Sequence, residues 1–392
     1  MASTSTVIAR LWLAVFCGYT TLGATIQLLP GYLTSRFHAG PLAVGICVGV
    51  AFAASAVFRP IAGRRGDLGL SQRTATAGAV LTAVGALGHL VAPGLWAIVV
   101  ARLAMGVGEA ALFSGTLPWV LRLSTGSGAA RQAGWFGLSM WSGLSCGPLL
   151  ATVLSSTGGS DRAAWLTVAA LPVASIVLVT GLRDTTEATA PERSSILPSG
   201  WHTPGAILGL AAYGYGTIAS ILVLYLAGRR SNVEGLALAV FSLAFLVIRA
   251  AGSPAVDRIG GARVAVATML VSALGLAVLP LLGDPTVLAA IALAGAGVAL
   301  IYPATSRMTL RSAAQHNAGA AMGAMTSLWD LGILVAGPVS GTLVSHAGYT
   351  VAFEVAAAAA AVGAGIAAAS AGPGRRFTAG ARLSRATRRS RR

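Results

Sequence analysis

Twelve apolar stretches, most of them about as long as a bilayer's hydrocarbon core is thick, follow one another with short polar interruptions. A backbone crossing hydrocarbon finds no water to bond, so a crossing of roughly 20 apolar residues has to be helical. The chain therefore reads as an all-α membrane protein with 12 transmembrane helices. The segments fall at about 7–33, 41–62, 74–91, 95–121, 135–154 and 163–182, then at about 205–227, 235–256, 264–282, 286–304, 318–345 and 351–371. The first is too long for the apolar core of a signal peptide and counts as a retained helix.

The segments repeat. Arg59-Pro60-Ile61-Ala62-Gly63-Arg64-Arg65-Gly66-Asp67 stands where the second segment runs into a charged turn. Arg249 to Arg258 closes the eighth in the same way, with Arg249 and Asp257 displaced by 190 positions from Arg59 and Asp67. Gly147-Pro148 and Gly337-Pro338, inside the fifth and eleventh segments, keep the same offset. Residues 1–182 and 205–371 are thus two six-helix halves of one plan. The polar interval 183–204 links them, and a basic tail, 372–392, follows.

A net charge of +16 would suggest a nucleic-acid partner in a soluble chain. Here 55% of residues are apolar and 10% charged, and mean hydropathy is +0.77. Every basic side chain is arginine, and place explains the excess. With both termini on one side, 22 of the 27 arginines fall on that side, including eight in the tail. Arg36, Arg162, Arg229 and Arg230 fall opposite, and Arg102 lies within the fourth segment. By the positive-inside rule both termini are cytoplasmic, in a multi-pass protein of the cell membrane whose tail is drawn to anionic headgroups. No nucleic acid is implied. Cys17, Cys47 and Cys146 are far apart in apolar segments, which indicates neither a metal site nor a disulfide framework. The histidines are scattered, and no catalytic set is formed, so neither an enzyme nor a cofactor is expected.

Two six-helix halves, charged glycine-bearing loops after the second and eighth segments, and Gly-Pro in the fifth and eleventh resemble the major facilitator superfamily of secondary transporters, in particular its drug or metabolite:proton antiporters. The resemblance spans all twelve segments. It implies a substrate cavity near the midplane between the halves, alternately open to either side. Gly63-x-x-x-Asp67 resembles the superfamily's loop motif, with Leu68 where an arginine is usual and Leu70 where a second glycine is usual. Asp257-Arg258-Ile259-Gly260 keeps that part better. The resemblance implies a cytoplasmic gate made of Arg59, Gly63 and Asp67, and of Arg249, Asp257 and Arg258. An aspartate there can face a neighbouring helix N-terminus, and glycine permits close approach.

Arg102 and Glu109 lie seven residues apart, so they share a face about 10 Å apart along the axis. Arginine followed by Gly106-x-Gly108 resembles the motif of proton-coupled members. Charges at that depth are costly, at least about 2.5–3.5 kcal/mol each, and are expected to face a cavity or a partner. Glu109, Arg102 and Asp330 are accordingly the expected proton-coupling groups. Gly143-x-x-x-Gly147-Pro148, with Gly337-Pro338 opposite, resembles the bend motif of exporters. Proline bends a helix, and the glycines let a neighbour approach.

In the family the first, fourth, seventh and tenth helices line the cavity. Here they offer Tyr19, Thr25, Gln27, Tyr213, Tyr215, Thr217 and Tyr302 against alanine, glycine, leucine and valine. Few polar groups suit an amphipathic or lipophilic solute. The expectation is a monomer that exports such a compound in exchange for protons. The alternatives are proton-coupled import of a nutrient and a transport-inactive scaffold or sensor.

Overall fold

The structure, a computed structural model, describes residues 4–39, 41–124, 129–156, 161–184 and 195–371. The basic tail and most of the linker lie outside them. The first six helices are α1 (Thr4–Phe37), α2 (Pro41–Arg65), α3 (Ser71–Val91), α4 (Leu95–Leu123), α5 (Ala129–Ser156) and α6 (Asp161–Val179). The second set opens with α7 (His202–Gly228), α8 (Glu234–Ile259) and α9 (Gly261–Val278). Helix α10 is interrupted at Leu300, running as Val287–Ala299 and resuming as Ile301–Ser312. The helical stretch Ala318–Ala371 changes direction at Gly348, whose φ of 86° breaks it. This divides it into α11 (318–347) and α12 (349–371).

Among the described residues, eight stretches are long and apolar enough to cross a membrane. Two of them, Ile46–Val91 and Gln315–Ala371, each contain two crossings joined by a tight turn. With α5 and the shorter apolar helix at Leu236–Gly252 in α8, these account for the twelve expected crossings. Their outward faces carry large apolar side chains such as Trp96, Val177 and Val247, as a helix facing lipid requires.

Small residues set the spacing inside each half. Helix α5 lies against α1 along Gly143 and Gly147, where a β-carbon would collide with the backbones of Phe16 and Gly23. Helix α11 lies against α7 in the corresponding place, through Gly332 on the carbonyl of Gly209. Without a hydrophobic drive between helices in lipid, such backbone contacts supply the packing. A half-buried side chain also closes the first half. Arg10 donates to the carbonyls of Val177, Leu178 and Thr180, the unsatisfied end of α6, where a cation is favoured.

The turn after α2 spans Gly66–Leu70, with Gly69 in the left-handed region at φ 74°. In the second half the left-handed residue is Gly260, at φ 101°, between α8 and α9. Gly260 corresponds to Leu70, so the first loop has its turning glycine one position earlier. That accounts for the tolerance of Leu70 where a glycine is usual.

Candidate functional site

At the end of the bundle that carries these two loops, α2 and α11 meet backbone to backbone. A side chain on Gly63 would strike the carbonyl of Gly319, and one on Gly323 would strike that of Arg59. Asp67, 4% exposed, reaches across this seam. Its Oδ1 accepts from the Gly319 N–H and its Oδ2 from that of Ala320, both at 2.9 Å. These are among the first amides of α11, which have no partner within their own helix. Asp67 thus caps a helix of the other half and sits at its positive end. Arg122 of α4 holds the turn by donating to the carbonyl of Gly66 at 2.8 Å and to Asp184 at 2.7 Å.

The second loop behaves differently. Asp257 accepts from Arg307 of α10 at 2.8 Å, within its own half, and its side chain is 37% exposed. Arg258 is exposed. The loop closer to the usual motif therefore stays local, and the more divergent one bridges the halves.

Two buried arginines sit deeper. Arg59 of α2 donates through Nε at 2.5 Å and Nη2 at 3.0 Å to the two carboxylate oxygens of Asp330 on α11. Both side chains are nearly inaccessible, at 4% and 2%, and the two-pronged geometry makes this a strong pairing. Arg249 of α8 donates to the carbonyl of Ala299 at 3.0 Å and to that of Gly134 on α5 at 2.9 Å. Its guanidinium lies over the ring of Tyr302. Each arginine thus crosses to the other half at related seams, α2 to α11 and α8 to α5. One finds a carboxylate and the other a carbonyl. The position on α5 that corresponds to Asp330 is Met140.

Beside the Arg59–Asp330 pair a narrow cavity of about 10 Å³ lies between the halves. Glu109, Tyr19 and Arg59 border it from the first half, Trp329 and Asp330 from the second. Trp141 of α5 meets Trp329 edge to face at 4.4 Å, and Tyr215 packs against both. Four polar atoms of the lining are buried without a hydrogen-bond partner: Ser55 Oγ, Arg59 Nη1, Glu109 Oε1 and Trp141 Nε1. Buried polar groups are ordinarily paired, so four such atoms gathered around one cavity single it out as the candidate site.

The expected residues divide. Glu109, Asp330, Arg59 and Tyr19 come together at this cavity, although Arg59 was expected at the gate. Arg102 does not join them. It donates to the carbonyls of Cys47 and Val48 on α2 and contacts Met105 Sδ. A helical side chain leans toward the N-terminus of its helix, which carries Arg102 away from Glu109 despite their common face. Tyr215 supports the aromatic wall. Thr25 bonds the carbonyl of Thr21 on its own helix, and Thr217 bonds Ser340 of α11. Gln27 is exposed, Tyr302 lies under Arg249, and Tyr213 is half-buried. Gly143 and Gly147 precede Pro148 in a face that packs on α1, inside one half, rather than at the boundary between halves. Gly337, before Pro338, is loosely packed, with Ser220 its nearest neighbour. Ser55, Met140, Trp141 and Trp329 were missed, since each reads in sequence as ordinary apolar or small-residue packing.

The sequence matches the family description "Major Facilitator Superfamily" over residues 11–228 and again over 205–389. An uncharacterized MFS-type transporter of Salmonella typhimurium is 31% identical over 93% of this chain and 96% of its own. The uncharacterized MFS-type transporter YhhS of Escherichia coli K12 is 28% identical over 87% of each. Among solved structures, the human organic anion transporter MFSD10 superposes with a TM-score of 0.75 at 17% identity, covering 94% of this chain and 100% of that one. FucP in its outward conformation gives 0.73 at 15%, over 92% and 97%. The duplicated six-helix halves, the central cavity and these matches lead to one conclusion: the chain belongs to the Major Facilitator Superfamily, and it is a membrane transporter.

Proposed function

We propose that the protein exports a small amphipathic or lipophilic organic compound in exchange for protons, with Glu109 as the proton-binding group. The observation that carries this reading is the Glu109 carboxyl, buried at the cavity with one oxygen lacking a partner. A gradient gives direction only when proton and substrate are linked through one site, and a carboxyl that faces the substrate space links them directly. The arginine distribution places the α2–α3 turn in the cytoplasm. The seam held by Asp67 and by Arg59–Asp330 then closes the cytoplasmic side, and its release opens the cavity inward. The exporter-like Gly143-x-x-x-Gly147-Pro148 supports outward movement. Both walls of the cavity come from one chain, which supports a monomer as the working unit.

Growth of a deletion strain across a panel of toxic organic compounds identifies a substrate. Its accumulation in inverted vesicles under an imposed pH gradient then tests the coupling. Glu109→Gln resembles the protonated side chain without titrating, so gradient-driven accumulation is lost. Wild-type accumulation in that variant would overturn the assignment and move the coupling role to Asp330.

A further inference from the structure

We propose that a second cavity, at the cytoplasmic end of the second half, binds a phosphate ester, held by Arg307 and Arg311 of α10 between the starts of α7 and α9. It shares no lining residue with the central cavity. The arginine distribution that places the α2–α3 turn in the cytoplasm places this cavity there too.

The space comes first. Its volume is about 450 Å³, against about 10 Å³ for the central cavity, and small-molecule sites are of that size. The wall is built from the first residues of α7 and α9, the last turns of α10 and the end of α12, and no carboxylate is among its residues. Arg307 and Arg311 stand four positions apart, which stacks them on one helix face. Arg307 donates to the Val256 carbonyl at 2.7 Å and to Asp257 at 2.8 Å, both through Nη1, so Nε and Nη2 remain for another acceptor. Arg311 is exposed and makes no hydrogen bond or ion pair among the described residues. Asp257 therefore offsets one of the two charges, and the exposed Arg258 and Arg263 nearby add to the excess. The last turn of α10 suits a basic residue for the sake of the helix end alone. That accounts for Arg311 but not for the space beside it.

The main chain adds donors. The Trp201 carbonyl accepts from the Gly205 N–H at 2.7 Å, so the amides of His202 and Thr203 open α7 without a partner inside it. The Gly260 carbonyl accepts from the Val264 N–H at 3.1 Å, and glycine offers no side-chain cap, so the amides of Gly261 and Ala262 open α9 in the same way. All four residues line the cavity. Two helix starts and two guanidiniums around one space suit a tetrahedral anion with several acceptor oxygens. The rim favours a lipid as its source. Ile196 and Leu197, in the segment leading to Gly200 of the lining, are 45% and 58% exposed. Exposed apolar side chains beside a basic cavity match acyl chains next to an anionic headgroup. A headgroup ending in choline would set its ammonium against the arginines.

The test uses the purified full-length protein in detergent, with binding read by native mass spectrometry. The probes are dioleoylphosphatidylglycerol, dioleoylphosphatidylcholine and, as a soluble phosphate ester, glycerol 1-phosphate. Phosphatidylglycerol is expected to bind about tenfold or more tightly than phosphatidylcholine, and Arg311→Gln or Arg307→Gln to remove that margin. Arg73→Gln, which removes an exposed arginine of the first half, should retain it and so separates the cavity from the general attraction of basic loops and tail. Arg311 has no bond to lose, so Arg311→Gln should leave the melting temperature unchanged and keeps the test free of a folding defect. Phosphatidylglycerol that resists displacement by glycerol 1-phosphate makes the lipid headgroup the ligand. Glycerol 1-phosphate that binds and is lost in Arg311→Gln makes a free phosphate ester the ligand; either result supports the site. Affinities for both phosphate probes that are the same in Arg311→Gln and Arg307→Gln as in the wild type would overturn the inference.

Discussion

Asp330→Asn isolates what the ion pair between the halves does. In the present arrangement Arg59 is 3% exposed and its carboxylate partner 1%. Replacing that partner with a neutral amide leaves a buried guanidinium without the carboxylate it pairs with, a defect worth roughly 3–5 kcal/mol. The defect exists only while the seam is closed. Once α2 and α11 part, Arg59 meets water and the amide costs little. The variant should therefore shift the closed-to-open equilibrium by roughly 10²- to 5 × 10³-fold toward a parted seam. Spin labels at Arg73→Cys and Gln315→Cys, both exposed positions flanking the seam, in a background without the three native cysteines, report the separation. Asp330→Asn should move the distance distribution to longer values. Arg59→Leu/Asp330→Leu, which removes both charges, should return most of it. An unchanged distribution accompanied by a lower melting temperature would refute the reasoning and reduce the pair to a packing feature common to both states.

Gly63→Leu places a side chain into the Gly319 carbonyl, so the same labels should report a parted seam and transport should stop while membrane insertion persists. Asp67→Asn should lengthen the label distance through loss of a charge-assisted bond, about 1.5–3 kcal/mol; Asp257→Asn, whose contact lies within one half, should leave it unchanged. Gly147→Val overpacks α5 against α1 and should cost about 1–3 kcal/mol of stability, seen as a lower melting temperature without altered seam distances. For topology, a cysteine at Gly159 should react with an impermeant thiol reagent in intact cells and one at Thr189 should not; both positions lie outside the described residues, and the reverse pattern would place the seam on the other face.

The crossings were legible because a bilayer imposes one length on every helix, and the 190-residue offset exposed the duplication. Glu109 stood out because a carboxyl in an apolar helix has few harmless explanations. What could not be read was partnership. Arg59 and Asp330 are 271 positions apart and belong to different halves, so neither local spacing nor helical periodicity connects them. The backbone contacts of Arg102 were hidden for a related reason: periodicity gives the face a residue occupies but not the reach of a long side chain. Trp141 and Trp329 were hidden because an indole in an apolar helix is normally packing. One signal was available. Aligning the halves by their offset sets Met140 against Asp330, which marks a place where the duplication has diverged in charge.

That divergence bears on how the two seams tolerate change. Both lie at the same end of the bundle, yet their arginines depend on different kinds of acceptor. Arg249 ends on the main-chain carbonyls of Ala299 and Gly134, which no replacement of a side chain at those positions takes away. Arg59 ends on the carboxylate of Asp330, so a single substitution undoes that contact, and the repeated architecture keeps one seam in its backbone and the other in its side chains.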